Sequence, residues 1–129
     1  MKTQVCARWV PALLWMGVIF SFSQHSNIET GLSCDFSIKK TAHFFEYGLL
    51  ALAFYRALKG SWRICLPNIA QKAWALATLY AVTDEFHQWF VPTRTATPRD
   101  VVIDSIGAAT ILAVFLGVAR LWNKKSSKS

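Results

Sequence analysis

VVIDSIGAATILAVFLGVARLW, Val101 to Trp122, is the stretch on which the fold class turns. As a helix it is long enough to cross a bilayer's hydrocarbon core, which takes about 20 predominantly apolar residues. Asp104 is its main interruption. From Gly107 to Val118 it is apolar on every side, as is Leu13 to Phe20 near the other end of the chain. A helix in a soluble bundle keeps a polar stripe toward water at a period near 3.6 residues. Neither segment has one, so the expected surroundings are lipid.

Working outward from that helix, three further segments reach or approach spanning length. Including the fourth, the helices are expected at about 6–23, 39–58, 72–91 and 100–122. The chain has 129 residues, a positive mean hydropathy and only 16% charged residues. It is read as one domain, residues 1–129, with an all-α fold: an integral-membrane bundle of four transmembrane helices. The first helix resembles a signal peptide in its basic start, Lys2 and Arg8. However, Trp9 and Trp15 are unusual in such a segment and the small-x-small cleavage pattern is weak, so a retained helix is expected.

Lys and Arg in short flanking loops mark the cytoplasmic side of a membrane protein. Lys2 and Arg8, the loop with Arg56, Lys59, Arg63 and Lys72, and the tail with Arg120, Lys124, Lys125 and Lys128 hold ten of the fourteen basic residues and no acid. Lys39, Lys40, Arg94 and Arg99 share the other side with all seven acids. The expectation is a multi-pass membrane protein with both termini in the cytoplasm. The net charge of +7 then reports topology and not a nucleic-acid surface. Trp9, Trp62, Trp74 and Trp122 fall near the inner interface and Trp89 near the outer one, as an aromatic belt requires. Three cysteines form no closed disulfide set. Cys6 and Cys65 lie on one side and Cys34, unpaired, on the other.

The polar residues gather at the outer end. Asp84-Glu85-Phe86-His87-Gln88-Trp89-Phe90-Val91-Pro92-Thr93-Arg94 leaves an apolar run and packs four polar or ionisable side chains into its first one and a half turns. Ionisable groups inside a membrane are costly and mark functional sites by default. Lys39, His43 and Glu46 lie at i, i+4 and i+7 on one face of the second helix, with Tyr47 beside it. Tyr80, Asp84, His87 and Gln88 share a face of the third, with Glu85 at its margin. Pro92 breaks that helix, and Arg99 and Asp100 open the fourth one turn before Asp104, where Gly107 to Ala109 permit close approach. Ser21, Ser23 and Gln24 end the first helix. The faces together describe a polar cavity open to the extracytoplasmic side. It is not a channel pattern, because no acidic residue lies in the inner half of a span.

This set of residues resembles the VanZ-like family. The resemblance is carried by Phe20-Ser21-Phe22-Ser23, Lys39-x-x-x-His43-x-x-Glu46-Tyr47-Gly48, Tyr80-x-x-x-Asp84-Glu85-x-x-Gln88, Pro92-x-Arg94 and Asp100-x-x-x-Asp104-x-x-Gly107. It covers about Trp9 to Leu116, and Asn is the residue expected more often where Asp104 stands. It implies a small bacterial membrane protein of the cell envelope, linked through its namesake to low-level resistance to teicoplanin-type glycopeptides.

Three functions fit. In the first, the cavity binds or shields a lipid-linked cell-wall precursor or a lipophilic antibiotic. Lys39, His43, Glu46, Asp84, Glu85, Gln88, Arg94, Asp100 and Asp104 form the ligand site, and Arg94 is the phosphate or carboxylate partner, since an arginine fork matches either group. In the second, the protein is a membrane-embedded enzyme acting on a lipid phosphate or ester. Its catalytic candidates are His43, Glu46, Asp84 and Glu85, with His87 nearby. In the third, the cluster only holds the helices together, at about 0.6 to 2 kcal/mol per pair. No His-x-x-x-His pair, cysteine set, serine elbow or glycine-rich phosphate loop is present, so neither a metal nor another cofactor is expected.

Overall fold

The computed structural model describes residues 2–24, 35–61, 68–91 and 97–127; side chains are described except at 2–4 and 35–39. Four α-helices account for nearly all of it: α1 Lys2–Gln24, α2 Asp35–Ser61, α3 Ile69–Gln88 and α4 Pro98–Ser126. Both α1 and α4 are long and apolar enough to cross a membrane. α2 and α3 fall below that threshold, because Lys40, His43, Glu46, Arg56 and Lys59 dilute one and Lys72, Asp84, Glu85 and His87 the other.

The ends of the helices differ from the expected ones by a few residues. α2 begins four residues earlier, and α3 is shifted three residues toward the N-terminus. Asn68 precedes α3 in the left-handed region (φ 64°), a conformation asparagine tolerates better than most residues. The other end of α3 tightens before Pro92 is reached. Phe90 N–H donates to the His87 carbonyl and Val91 N–H to that of Gln88, both three residues back. Pro98 opens α4, where its missing N–H costs nothing and its fixed φ suits the helix.

α2 is the hub and touches the other three helices. α3 packs on α2 and α4 and meets α1 at few points, while α1 and α4 do not meet among the described residues. The two more polar helices thus form the centre and the two apolar ones flank them. Alanines fill much of the interior: Ala12, Ala51, Ala73, Ala77, Ala81 and Ala108 are fully or almost fully buried, beside Ile19, Tyr47, Leu50, Phe54, Leu58 and Leu112. Large apolar side chains face outward on every helix, among them Leu14, Leu49, Phe86 and Leu121. Small interior residues let helix backbones approach closely, the packing found where no hydrophobic force drives helices together.

Gly107 shows how close that approach is. A Cβ there would stand 2.9 Å from Phe44 Cα in α2, inside any real contact distance. At Gly48 it would fall 2.8 Å from Ile111 Cβ in α4. Gly17, in contrast, has open space around it. Gly107→Val is therefore expected to destabilise the protein by about 2 kcal/mol or more, in the range of overpacked cores. Gly17→Ala should leave the melting temperature unchanged or raised. Thermal unfolding of the two purified variants beside the parent checks this, and equal melting temperatures for Gly107→Val and the parent would contradict the packing.

Candidate functional site

The inner face of α3 is a ladder of alanines, Ala73, Ala77 and Ala81, continued in its last turns by Asp84 and Gln88. The spacing of three and four residues keeps all five on one stripe. The same packing that buries the alanines therefore buries a carboxyl and an amide, each 4% exposed.

Asp84 Oδ2 gathers three donors from three helices. Ser23 Oγ of α1 donates at 2.7 Å, Gln88 Nε2 of α3 at 2.8 Å and Tyr47 Oη of α2 at 3.2 Å. Gln88 Nε2 also lies 3.2 Å from Ser23 Oγ, closing the group on itself. Burying a carboxyl without partners is expensive, and each hydrogen bond made to it offsets part of that cost. Around this centre, Tyr80 Oη donates to the Met16 carbonyl (2.7 Å) and Trp15 Nε1 to the Glu46 carbonyl (2.9 Å), fixing the rotation of α1.

The other acids ring this centre. Asp104 of α4 is 5% exposed and lies within electrostatic range of Asp84, Glu85, Asp100 and Glu46. Asp84 Oδ1 and Asp104 Oδ1 are buried and accept no hydrogen bond among the described residues. Glu46 Oε2 is 3.4 Å from His43 Nδ1, an ion-pair distance when the imidazole is charged, but without hydrogen-bond geometry. His43 also stacks on Tyr47, with ring centroids 6.3 Å apart. Glu85 Oε1 accepts the backbone N–H of Thr97, the N-cap of α4, and so ties the end of α3 to the start of α4. Asp100 accepts from Thr97 Oγ1 at 3.0 Å and pairs with Lys40 of α2. Its place in the first turn of α4 also suits the positive end of the helix dipole.

Most of the residues expected in the site therefore meet at one end of the bundle. Asp84 and Gln88 are its buried centre, and His43, Glu46, Glu85, Asp100 and Asp104 surround them. Arg94 and the side chain of Lys39 lie outside the described residues. Arg99 is exposed, and the cation that pairs with the first turn of α4, at Asp100, is Lys40 of α2. His87 sits at the margin against Phe20, with centroids 4.7 Å apart. No three His, Cys, Asp or Glu side chains among the described residues are placed to hold one metal ion. Cys6 is an exposed free thiol; Cys34 and Cys65 lie outside the described residues.

Sequence reasoning undervalued Ser23, Tyr47 and Thr97. The hydroxyl of Tyr47 reads as packing until α3 is docked, and Ser23 is one of several serines at a helix end. The signal for both was the alanine ladder of α3, which points Asp84 inward at the junction of α1 and α2.

The Asp84 network makes a quantitative prediction. A double-mutant cycle on Ser23→Ala and Asp84→Asn, read by thermal or denaturant unfolding, should give a coupling of about 0.5 kcal/mol or more. Strict additivity would contradict the contact.

Comparison with known proteins follows from this geometry. The sequence model of the VanZ/LLP1 family matches residues 7–121, so the chain belongs to that family. The match takes in all four helices and every residue of the polar end. Neither a curated protein nor a solved structure matches the chain.

Proposed function

We propose that this VanZ/LLP1 member is a four-span protein of the bacterial cytoplasmic membrane, with both termini in the cytoplasm. Its acid-rich end opens to the extracytoplasmic leaflet and binds or shields a lipid-linked or lipophilic ligand. The physiological outcome is low-level resistance to teicoplanin-type glycopeptides. Four spans are supported by the outward-facing large side chains of α2 and α3 as well as of α1 and α4, such as Phe45, Leu79 and Phe86. The orientation is supported by the separation of charge along the sequence.

The single observation that carries the ligand reading is the pair of buried acceptors, Asp84 Oδ1 and Asp104 Oδ1, that have no hydrogen-bond partner among the described residues. A group that only tied helices together would satisfy its own oxygens, since an unmade buried hydrogen bond costs about 1 to 3 kcal/mol. Acceptors held ready at the open end of an apolar bundle suit a ligand that brings hydroxyl, amide or ammonium donors above a greasy tail. A lipid-linked wall precursor and an acylated glycopeptide both have that form. The structural reading draws on the opposite feature, the fully engaged Oδ2 of Asp84.

Drug susceptibility separates the two. A Gram-positive host expressing the protein should tolerate more teicoplanin and no more vancomycin than the empty host. Asp104→Ala, at matched membrane levels and with an unchanged melting temperature, should lose at least half of that gain. A variant that melts normally and protects fully would remove Asp104 from the site. One that melts lower and protects less would favour the structural reading.

A further inference from the structure

At the opposite end from the carboxyl cluster, α1 and α4 stand apart and leave a cleft of about 640 Å³ over α2. That volume lies within the range of small-ligand sites, roughly 300 to 1,000 Å³. Its walls are apolar, with Leu52 of α2 and Phe115 and Leu116 of α4. Its rim is basic, with Arg8 of α1 and Arg56 and Lys59 of α2. No acid occurs between Glu46 and Asp84 in the sequence, and none of the three cations joins an ion pair among the described residues.

The cations are held in place without carboxylates. Arg8 lies across Gly60, where a Cβ would come 2.8 Å from its Cδ, so the glycine makes room for the arginine. The neighbouring Trp9 donates Nε1–H to Ser61 Oγ at 3.0 Å, and its ring packs on Phe54. Lys59 Nζ lies 5.8 Å from the centre of the Tyr55 ring, a cation–π distance. Twelve residues of helix separate Lys59 from Tyr47, about 18 Å at 1.5 Å per residue. The basic rim and the Asp84 centre therefore occupy opposite ends of one span.

We infer that this cleft is a binding site for an anionic glycerophospholipid of the cytoplasmic leaflet. Arg8, Arg56 and Lys59 take its phosphate, and Leu52, Phe115 and Leu116 line its acyl chain. The inference rests on the membrane-spanning reading above and goes beyond it, because the ligand, the leaflet and the residues all differ from those of the acid-rich end. Charge complementarity selects the headgroup: an arginine fork engages a phosphate bidentately. The apolar walls select a chain-bearing phosphate over a free one.

Native mass spectrometry of the full chain in neutral detergent tests this, with short-chain phosphatidylglycerol, phosphatidylcholine and inorganic phosphate as probes. Phosphatidylglycerol should bind about tenfold or more tighter than phosphatidylcholine. Arg56→Gln with Lys59→Gln should erase that preference. Ala119→Trp, which narrows the cleft and leaves the cations in place, should weaken phosphatidylglycerol binding by a similar factor. Equal binding of the two lipids, equal binding of inorganic phosphate, or the same loss from Lys124→Gln with Lys125→Gln on the tail would overturn the site. Alkaline carbonate extraction of membranes distinguishes the levels. A protein released by carbonate defeats the spanning reading and this site with it, whereas one that stays but shows no lipid preference defeats this site alone.

Discussion

A carboxyl group buried between helices must be given donors, and the helices that supply them are then fixed in position. Asp84 takes Ser23 from α1, Tyr47 from α2 and Gln88 from its own helix, all on one oxygen. α1 and α3 otherwise meet at few points, so this junction and the Tyr80–Met16 bond set their relative rotation. Once α3 is turned to place Asp84 inward, its alanine ladder follows, and α2 and α4 close on that flat surface. The glycines at 48 and 107 answer the same demand from the other pair of helices, since α2 and α4 could not come together if either position carried a Cβ.

Alanine-rich helix contacts inside and many large apolar side chains outside depart from the arrangement of a soluble core. In water, exposing Leu79, Phe86, Val114 and Leu121 would waste the area that drives folding, at about 25 cal/mol per Å². In lipid that exposure costs nothing, and stability comes instead from close packing and from hydrogen bonds such as those at Asp84. The two ends of the bundle then divide the chemistry. One collects carboxyls around Asp84 and, among the described residues, keeps two acceptor oxygens open; the other collects cations around a cleft where no described acid pairs with them.

Much of this could be read from the sequence, and the failures have a common cause. Four helices, a polar end and the residues of that end followed from apolar runs and from i, i+4 spacing, which are local properties. The boundaries of α3 slipped by three residues because Pro92 marks where a helix cannot continue. It does not show that the last turn has already tightened at Gln88. Lys39, which aligns with His43 and Glu46, has its side chain outside the described residues, and one residue is about 100° of rotation on a helix. Lys40 is the one that meets Asp100 across the α2–α4 contact. Ser23, Tyr47 and Thr97 acquire their roles only through neighbours 61, 37 and 12 residues away in the chain, which no local pattern encodes.

The central claim, that the carboxyl end of a lipid-embedded bundle faces out of the cell, is tested most directly by cysteine accessibility. With Cys6, Cys34 and Cys65 replaced by serine, single cysteines at Thr97, beside the acid-rich end, and at Ser126, at the end of α4, are exposed to a membrane-impermeant maleimide in intact cells. Labelling of Thr97→Cys in intact cells, with Ser126→Cys labelled only after permeabilisation, is the predicted result. The reverse pattern, or labelling of both from the same side, would contradict the account.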